Sequence, residues 1–483
     1  MVGRVVLCAV GLVPGLCGVV MGQVTLERFE RQLEQIRRET QLLVEPSVPP
    51  EQRAVIDYGG FVSFNFLAID DLGQNTHILR QTDVVVYTRL NFDGVHELFA
   101  RVRSTYRDFN SGDSFDGNGD DWVEPTLDRA IYTFNLGRYI ETNEGRTPKG
   151  NIIIRGGRQL VHWANGVTLS QEIDGGVVTL SYDPLTLDIV AGITRHSITD
   201  IDSSRPGFEG DTKRGFYGAM LSVQAGANHR PFIYGLVQDD RNDPTVLIVG
   251  ATTTRFDYNS YYIGAGSTGA LSDNLLYGVE LIYEGGEGLS NSFNNTTLVP
   301  IAQTREDIHA FAADVTLDYL VGDSNRSRLS GEMILATGDT DRLTTTNTFA
   351  GNQTGTDDNA FNAFGLINTG LAFNPNVSNL LMFRIGASTF PLHSNQALHV
   401  GAFDRLQVGV DLFIFNKLNR NAPIDEATSA STYLGFETDV FVTWQLTSDL
   451  TVSTRYGVFF PGDAITTDLD ERHFFFTGVT LAF

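Results

Sequence analysis

The sequence predicts an all-β protein, a transmembrane antiparallel β-barrel of about 18 strands preceded by a short N-terminal amphipathic helix. Three observations predict it. From about Ile56 to Phe483 apolar and polar residues alternate with a period of two, and no helical period recurs. The alternating runs are roughly nine to thirteen residues long, the span a tilted strand needs to cross a bilayer. The polar face carries full charges, which the dry core of a soluble sandwich would not accept. A barrel in lipid turns its apolar side chains outward and its charged ones toward water.

The N-terminus reads as a targeting signal. MVGR supplies a basic start, Val5–Val20 is mostly apolar, and Val20-Met21-Gly22 offers a small-residue cleavage site before Gln23. Residues 1–22 are therefore expected to be a signal peptide. The only cysteines, Cys8 and Cys17, fall inside it, so the mature chain has no thiol, disulfide or cysteine metal site. Residues 23–55 follow as an amphipathic helix and a Pro-rich linker. In Thr25–Val44, Leu26, Phe29, Leu33, Ile36 and Leu43 occupy a and d positions, with Thr40 the polar exception. One short helix is marginal alone, so it is expected to dock on the main domain or on a copy of itself. The segment EPSVPPEQ ends it.

Residues 56–483 make up the barrel. Val177–Tyr182 and Leu185–Thr194 flank Asp183-Pro184, a tight turn. Leu275–Glu284 sets Leu275, Tyr277, Val279 and Leu281 against Glu280 and Glu284. Ile308–Leu320 sets Phe311, Ala313, Val315 and Leu317 against Asp314, Thr316 and Asp318. Asp404–Phe415, Gly435–Leu446 and His473–Phe483 alternate in the same way. Tight turns alternate with long polar connections such as Gly285–Arg305 and Asp339–Asp358. A closed barrel satisfies every backbone group, so it needs no apolar helix to span the membrane.

The chain carries a formal charge of −24, yet it places arginines in rows. Lysine occurs only at Lys149, Lys213 and Lys417, so nearly all positive charge is guanidinium, a planar fork suited to carboxylates. In Glu97–Arg107 (ELFARVRSTYR), Arg101, Arg103 and Arg107 share one face opposite Leu98, Ala100 and Val102. Gln81–Asn91 adds Arg89 beside Asp83 and Tyr87, and Leu127–Gly137 adds Arg129. The N-terminal third therefore builds an arginine-rich wall expected to face a watery lumen. The acidic balance argues against nucleic acid as a partner.

Three stretches carry a family resemblance. Residues 152–176 read IIIRGGRQLVHWANGVTLSQEIDGG; residues 435–465 read GFETDVFVTWQLTSDLTVSTRYGVFFPGDAI; and EMILATGD with the later FAGNQTGTDDNAFNAFG lies between them. Together they resemble the alginate-export family of outer-membrane proteins, monomeric eighteen-stranded barrels with an electropositive pore. The resemblance implies an outer-membrane location and passage of an anionic polysaccharide, or a related small solute, through the lumen. Gly157, Arg158, Gln159, Glu437 and Asp439 stand at the family's motif positions. The closing FFFTGVTLAF resembles the terminal strand read by the barrel-assembly machinery, with Phe483 last. The acidic loop at 108–124 and the helical N-terminal segment depart from the family pattern.

Read from the residues alone, Arg155 and Arg158 differ by three and would face opposite ways, unless Gly156-Gly157 forms a bulge that turns both inward. Glu437 and Asp439 share a face and are expected to line the pore, with Arg455 as a partner on the next strand. Arg384 and Arg405 are placed inward as well. Arginine would attract carboxylates, while nearby acids keep binding weak enough for release. The bland alternative is a set of cross-lumen salt bridges that only brace the wall.

Other candidate sites fail on spacing. Asp116, Asn118 and Asp120 begin like a calcium loop, but Asp121 replaces the required glycine and Leu127 the terminal glutamate. His393-Ser394-Asn395 has triad residue types without triad geometry. No catalytic residue, metal or cofactor is expected. Expected partners are membrane lipid, an anionic polysaccharide and the assembly machinery through Phe483, with oligomerisation through Thr25–Val44 as the alternative to docking that helix on the barrel. The alternatives are a general nutrient or anion porin, or a surface adhesin or enzyme carried on barrel loops.

Overall fold

A computed structural model describes residues 54–73, 75–114, 119–195, 212–243, 247–249, 252–294, 296–297, 299–343, 351–394, 402–467 and 470–483. The expected signal peptide and the helix Thr25–Val44 lie outside these residues. Ala54 and Val55, assigned above to the linker, already belong to the first strand.

The strands are β1 (Ala54–Asp70), β2 (Thr76–Phe92), β3 (His96–Phe109), β4 (Asp121–Asn135), β5 (Gly150–His162), β6 (Ser170–Tyr182), β7 (Leu185–Thr194), β8 (Arg214–Val223) and β9 (His229–Asp240). After a short hairpin, β10 (Leu247–Val249) and β11 (Thr252–Thr254), come β12 (Tyr258–Ser272), β13 (Leu275–Leu289), β14 (Arg305–Leu320), β15 (Arg328–Ala336), β16 (Leu380–Thr389), β17 (Leu406–Asn416), β18 (Tyr433–Gln445), β19 (Leu450–Pro461) and β20 (Arg472–Ala482). Leaving out β10 and β11, they form one 18-stranded sheet in which each strand pairs with its sequence neighbours. The last strand pairs antiparallel with the first, Phe61 opposite Ala482 and Ile69 opposite Phe474. The sheet is therefore a closed up-and-down barrel with no free edge. Phe483 completes the closure, exchanging two 2.9 Å backbone hydrogen bonds with Gly60.

The start of β1 and the end of β20 define one rim, the terminal rim. Connections at this terminal rim include Asp183-Pro184 and residues 273–274, 446–449 and 390–405, and the β4–β5 connection there holds a helix, α1 (Leu136–Glu144). The helix is capped by the Asn135 side chain, which accepts from the Arg138 amide, and ends at Gly145 in the left-handed region. The far rim carries the longer connections 195–213, 241–257, 290–304, 417–432 and above all 337–379. Its shortest is the turn between β1 and β2. There the Asp71 carboxylate accepts from the Gly73 and Asn75 amides at 2.8 Å and meets His77 Nε2 at 3.1 Å. Partial burial pushes this carboxyl up, but those hydrogen bonds outweigh burial and hold its pKa at about 2. A depressed carboxylate pKa stabilises the turn above the ordinary value near 4 and ceases to do so as pH falls through about 2. The Asp71 carboxyl is accordingly expected to titrate near pH 2 by NMR in detergent, and Asp71→Asn to abolish that titration.

Alternation sorts the faces. On β1, Ile56, Tyr58, Val62 and Phe64 are exposed outward while Ser63, Asn65, Leu67 and Ile69 are buried inward. The outward band continues through Val84, Val86, Ile233, Val237, Leu281, Phe311, Ile385 and Ile414, as hydrocarbon contact requires. Tyrosine–histidine pairs sit toward its edges: His96 with Tyr132 and His229 with Tyr277 toward the terminal rim, Tyr283 with His309 and Tyr456 with His473 toward the far one. Such amphipathic rings suit the membrane–water boundary.

The inside is not an empty tube. Two apolar clusters fill its far half. In one, Leu371, Ala372 and Phe373 of the 337–379 connection pack on Leu67, Phe413, Phe415, Phe459 and Phe474. In the other, Trp163, Val167 and Leu169 of the β5–β6 connection join Phe361 and Phe364 against Phe216, Tyr234, Tyr262 and Ile282. Residues 163–169 and 360–373 thus fold inward, because burial of their apolar and aromatic side chains is favourable.

Candidate functional site: the charged lumen

The inward faces of β2 to β5 carry Arg89, Arg101, Arg103, Arg107, Arg129 and Arg155, fixed by register: Arg101 lies opposite both Tyr87 and Arg129, and Arg155 opposite Thr133 and Val177. Most have a carboxylate. Arg101 Nε donates to Asp128 at 2.7 Å, and Arg103 Nη2 to Asp83 at 3.0 Å. Arg89 meets Glu97 at 3.3 Å, and Arg129 lies 3.9 Å from Glu172. Arg195, at the start of the β7–β8 connection, reaches Glu172 at 3.0 Å and Asp128 at 3.4 Å. Asp128 reaches this network because β4 bulges there: Arg101 opposes Arg129 and Val102 opposes Leu127, which leaves Asp128 as the extra residue.

Acids dominate the opposite arc, and they are covered. Glu280, Glu284 and Glu437 are 0 % exposed. Glu280 accepts from Tyr234 Oη at 2.5 Å and from the Asn165 amide at 3.0 Å. Glu284 accepts from Tyr258, Tyr262 and the Asn362 amide. Asp314 takes Asn165 Nδ2 at 3.0 Å. Glu437 is capped by three consecutive backbone amides, those of Leu371, Ala372 (2.7 Å) and Phe373 (2.8 Å), and the Leu371 amide also approaches Asp439 at 3.2 Å. Gly370 permits this cap: its φ is +97°, and a Cβ there would lie 2.8 Å from the carboxylate. Buried carboxylates are tolerable only when hydrogen-bonded in this way. They hold the two inward connections to the wall.

Several expectations need correction. Glu437 and Asp439 face inward but line no open path; they anchor the 337–379 connection. Arg455 does face inward, two residues along β19 from the position opposite Asp439, and its guanidinium lies 5.6 Å from the Phe441 ring centre. No bulge forms at Gly156-Gly157: the β5 register runs unbroken against β4 and β6. Arg158 therefore stays on the outer face, opposite Ala130, where it binds Asp174 at 2.7 Å and the Leu127 carbonyl at 2.8 Å. Gln159 turns inward but is buried against the Gly175 carbonyl. Arg384 does face inward, bound to Glu332 at 2.7 Å. Arg405 lies in a 3-10 turn (Phe403–Arg405) on the terminal rim, because β17 starts only at Leu406.

Sequence reasoning missed Asp128, Glu172 and Arg195 as partners of the arginines, and it missed the inward connections. One signal for the latter was legible: AFNAFGLINTGLAF (360–373) is too apolar for a solvated loop. Among the described residues no cluster of three or more histidine, cysteine or acidic side chains is arranged to hold a metal ion.

A closed barrel with an apolar exterior, a charged interior and a partly filled lumen defines a channel-type β-barrel protein of the outer membrane. The chain belongs to the alginate export family, whose model matches residues 77–476. No match was found among curated protein sequences. Its fold is similar to solved Pseudomonas aeruginosa and Acinetobacter baumannii barrels. For P. aeruginosa OpdK with vanillate the TM-score is 0.52 at 11 % identity, covering 89 % of this chain and 98 % of that one. For P. aeruginosa OccK5 (OpdH) it is 0.51 at 8 % identity, with the same coverage. For A. baumannii OccAB2 it is 0.51 at 11 %, again 89 % and 98 %. At these identities the likeness concerns the fold.

Proposed function

We propose that the barrel conducts an anionic saccharide, an alginate-like polyuronate, along the arginine arc of β2 to β5. The observation that carries this reading is the unequal cover on the two arcs. Glu280, Glu284, Asp314, Glu437 and Asp439 of the opposite arc are buried under residues 163–169 and 360–373, whereas Arg101, Arg103 and Arg129 keep 12 %, 23 % and 19 % of their side chains accessible. Arg155 is more open still. An acidic protein can thus present a basic path, because burial hides the carboxylates and water touches the guanidinium groups. Arginine draws in uronate carboxylates, and the Asp83, Asp128 and Glu172 partners compete for the same donors and speed release.

A small carboxylate is the second reading, favoured by the two apolar clusters that fill the far half of the lumen. One measurement separates the two. In planar bilayers under a salt gradient the channel is expected to be anion-selective, with its current blocked in steps by an oligouronate and not by a monocarboxylate. Combined Arg101→Gln, Arg103→Gln and Arg129→Gln is expected to move the reversal potential toward zero and to weaken block about tenfold or more, since each charge-assisted contact contributes roughly 1.5–3 kcal/mol. An unchanged reversal potential would remove these residues from the path.

A further inference from the structure

The β2–β3 hairpin has an arrangement that ion conduction alone does not require. On its inward face Tyr87 lies opposite Arg101, and Phe99 opposite Arg89. Along each strand the ring and the guanidinium are two residues apart, so the four side chains form a checkerboard. The two rings stack at 6.0 Å with 26° between their planes. Both arginines are held by acids, Arg89 by Glu97 and Arg101 by Asp128. Room for the tyrosine comes from β1: Gly59 lies opposite Tyr87, and a Cβ there would stand 3.0 Å from its hydroxyl. The patch sits in the terminal half of the barrel, outside the two apolar clusters that fill the far half.

We propose that this checkerboard is a sugar-binding subsite, in which Tyr87 and Phe99 stack on the apolar faces of consecutive uronate rings while Arg89 and Arg101 take their carboxylates. The inference rests on the polyuronate reading above and adds a contact to the sugar ring itself. A simple polyanion has charge but no flat C–H face. A uronate residue has both, at a separation a single ring–guanidinium pair can span. The rings add dwell time and preference for sugars, and the arginines add attraction.

The test uses the full-length protein in planar bilayers, with an oligomannuronate and a poly-glutamate of matched charge as blockers. Tyr87→Leu and Phe99→Leu keep apolar bulk and every charge. Each is expected to raise the oligomannuronate off-rate about fivefold, within the range of aromatic stacking energies, and the double variant more. Anion selectivity and poly-glutamate block should stay unchanged. Tyr87→Trp should slow the off-rate, which gives an independent readout if a leucine variant fails to assemble. An unaltered oligomannuronate off-rate, or equal loss of block by both polymers, overturns the subsite. In the first case, intact selectivity and arginine-dependent block would leave the channel reading standing. Failure of that reading looks different: the wild-type protein would show no block by oligomannuronate.

Discussion

Glu437→Ala is expected to open the barrel. The Leu371, Ala372 and Phe373 amides converge on that one carboxylate in a fully buried setting. Removing it leaves the Ala372 and Phe373 amides without an acceptor, each at a cost of roughly 1–3 kcal/mol, and the Leu371 amide with Asp439 at 3.2 Å. They recover only by reaching water, and that requires this part of the 337–379 connection to leave the wall. Its release uncovers Asp439 and, through Asn362, the Glu284 site. Single-channel conductance should therefore rise at least about twofold, anion selectivity should fall as carboxylates regain water, and residues 360–373 should become sensitive to protease. Glu437→Gln keeps one acceptor oxygen and should fall between the two. Unchanged conductance together with protease resistance in the alanine variant would show that the apolar contacts alone hold the connection.

The second large effect is expected at Glu426. Arg472, at the start of β20, is 1 % exposed and donates through both terminal nitrogens to Glu426 in the 417–432 connection. The Phe459 ring lies 5.6 Å below the guanidinium. Glu426→Ala strands a buried charge, which typically costs about 3–5 kcal/mol. It should lower the temperature at which the barrel loses its compact gel mobility. Replacing both partners, Glu426→Leu with Arg472→Met, should recover most of that loss, since an apolar pair of similar volume is often as stable as a buried ion pair. A double variant as unstable as the single one would mean that the clasp acts through specific geometry and not through its charge.

These two predictions concern contacts between residues far apart in sequence, and that is where sequence reading ended. Strand positions and the arginine wall were legible because side-chain alternation is local: every second residue of ELFARVRSTYR faces the same way wherever the strand sits. The same rule fails at irregularities. Two glycines suggested a bulge on β5, but Gly157 keeps its register at φ +124° under the Ala130 carbonyl, and the bulge falls on β4 at Asp128. Arg158 consequently stayed outside. Arg405 was lost to the same limit, since a strand's first residue is set by the turn before it.

By itself, the sequence determined an eighteen-strand wall with lipid on one side, the family, and a row of guanidinium groups on the other side. Only the tertiary structure decided what those groups face. Glu437 meets Leu371 across 66 residues and Asn165 meets Asp314 across 149, so nothing local announces either contact. The physical reason is that alternation fixes direction, whereas cover depends on which distant segment buries its aromatic residues inside the ring.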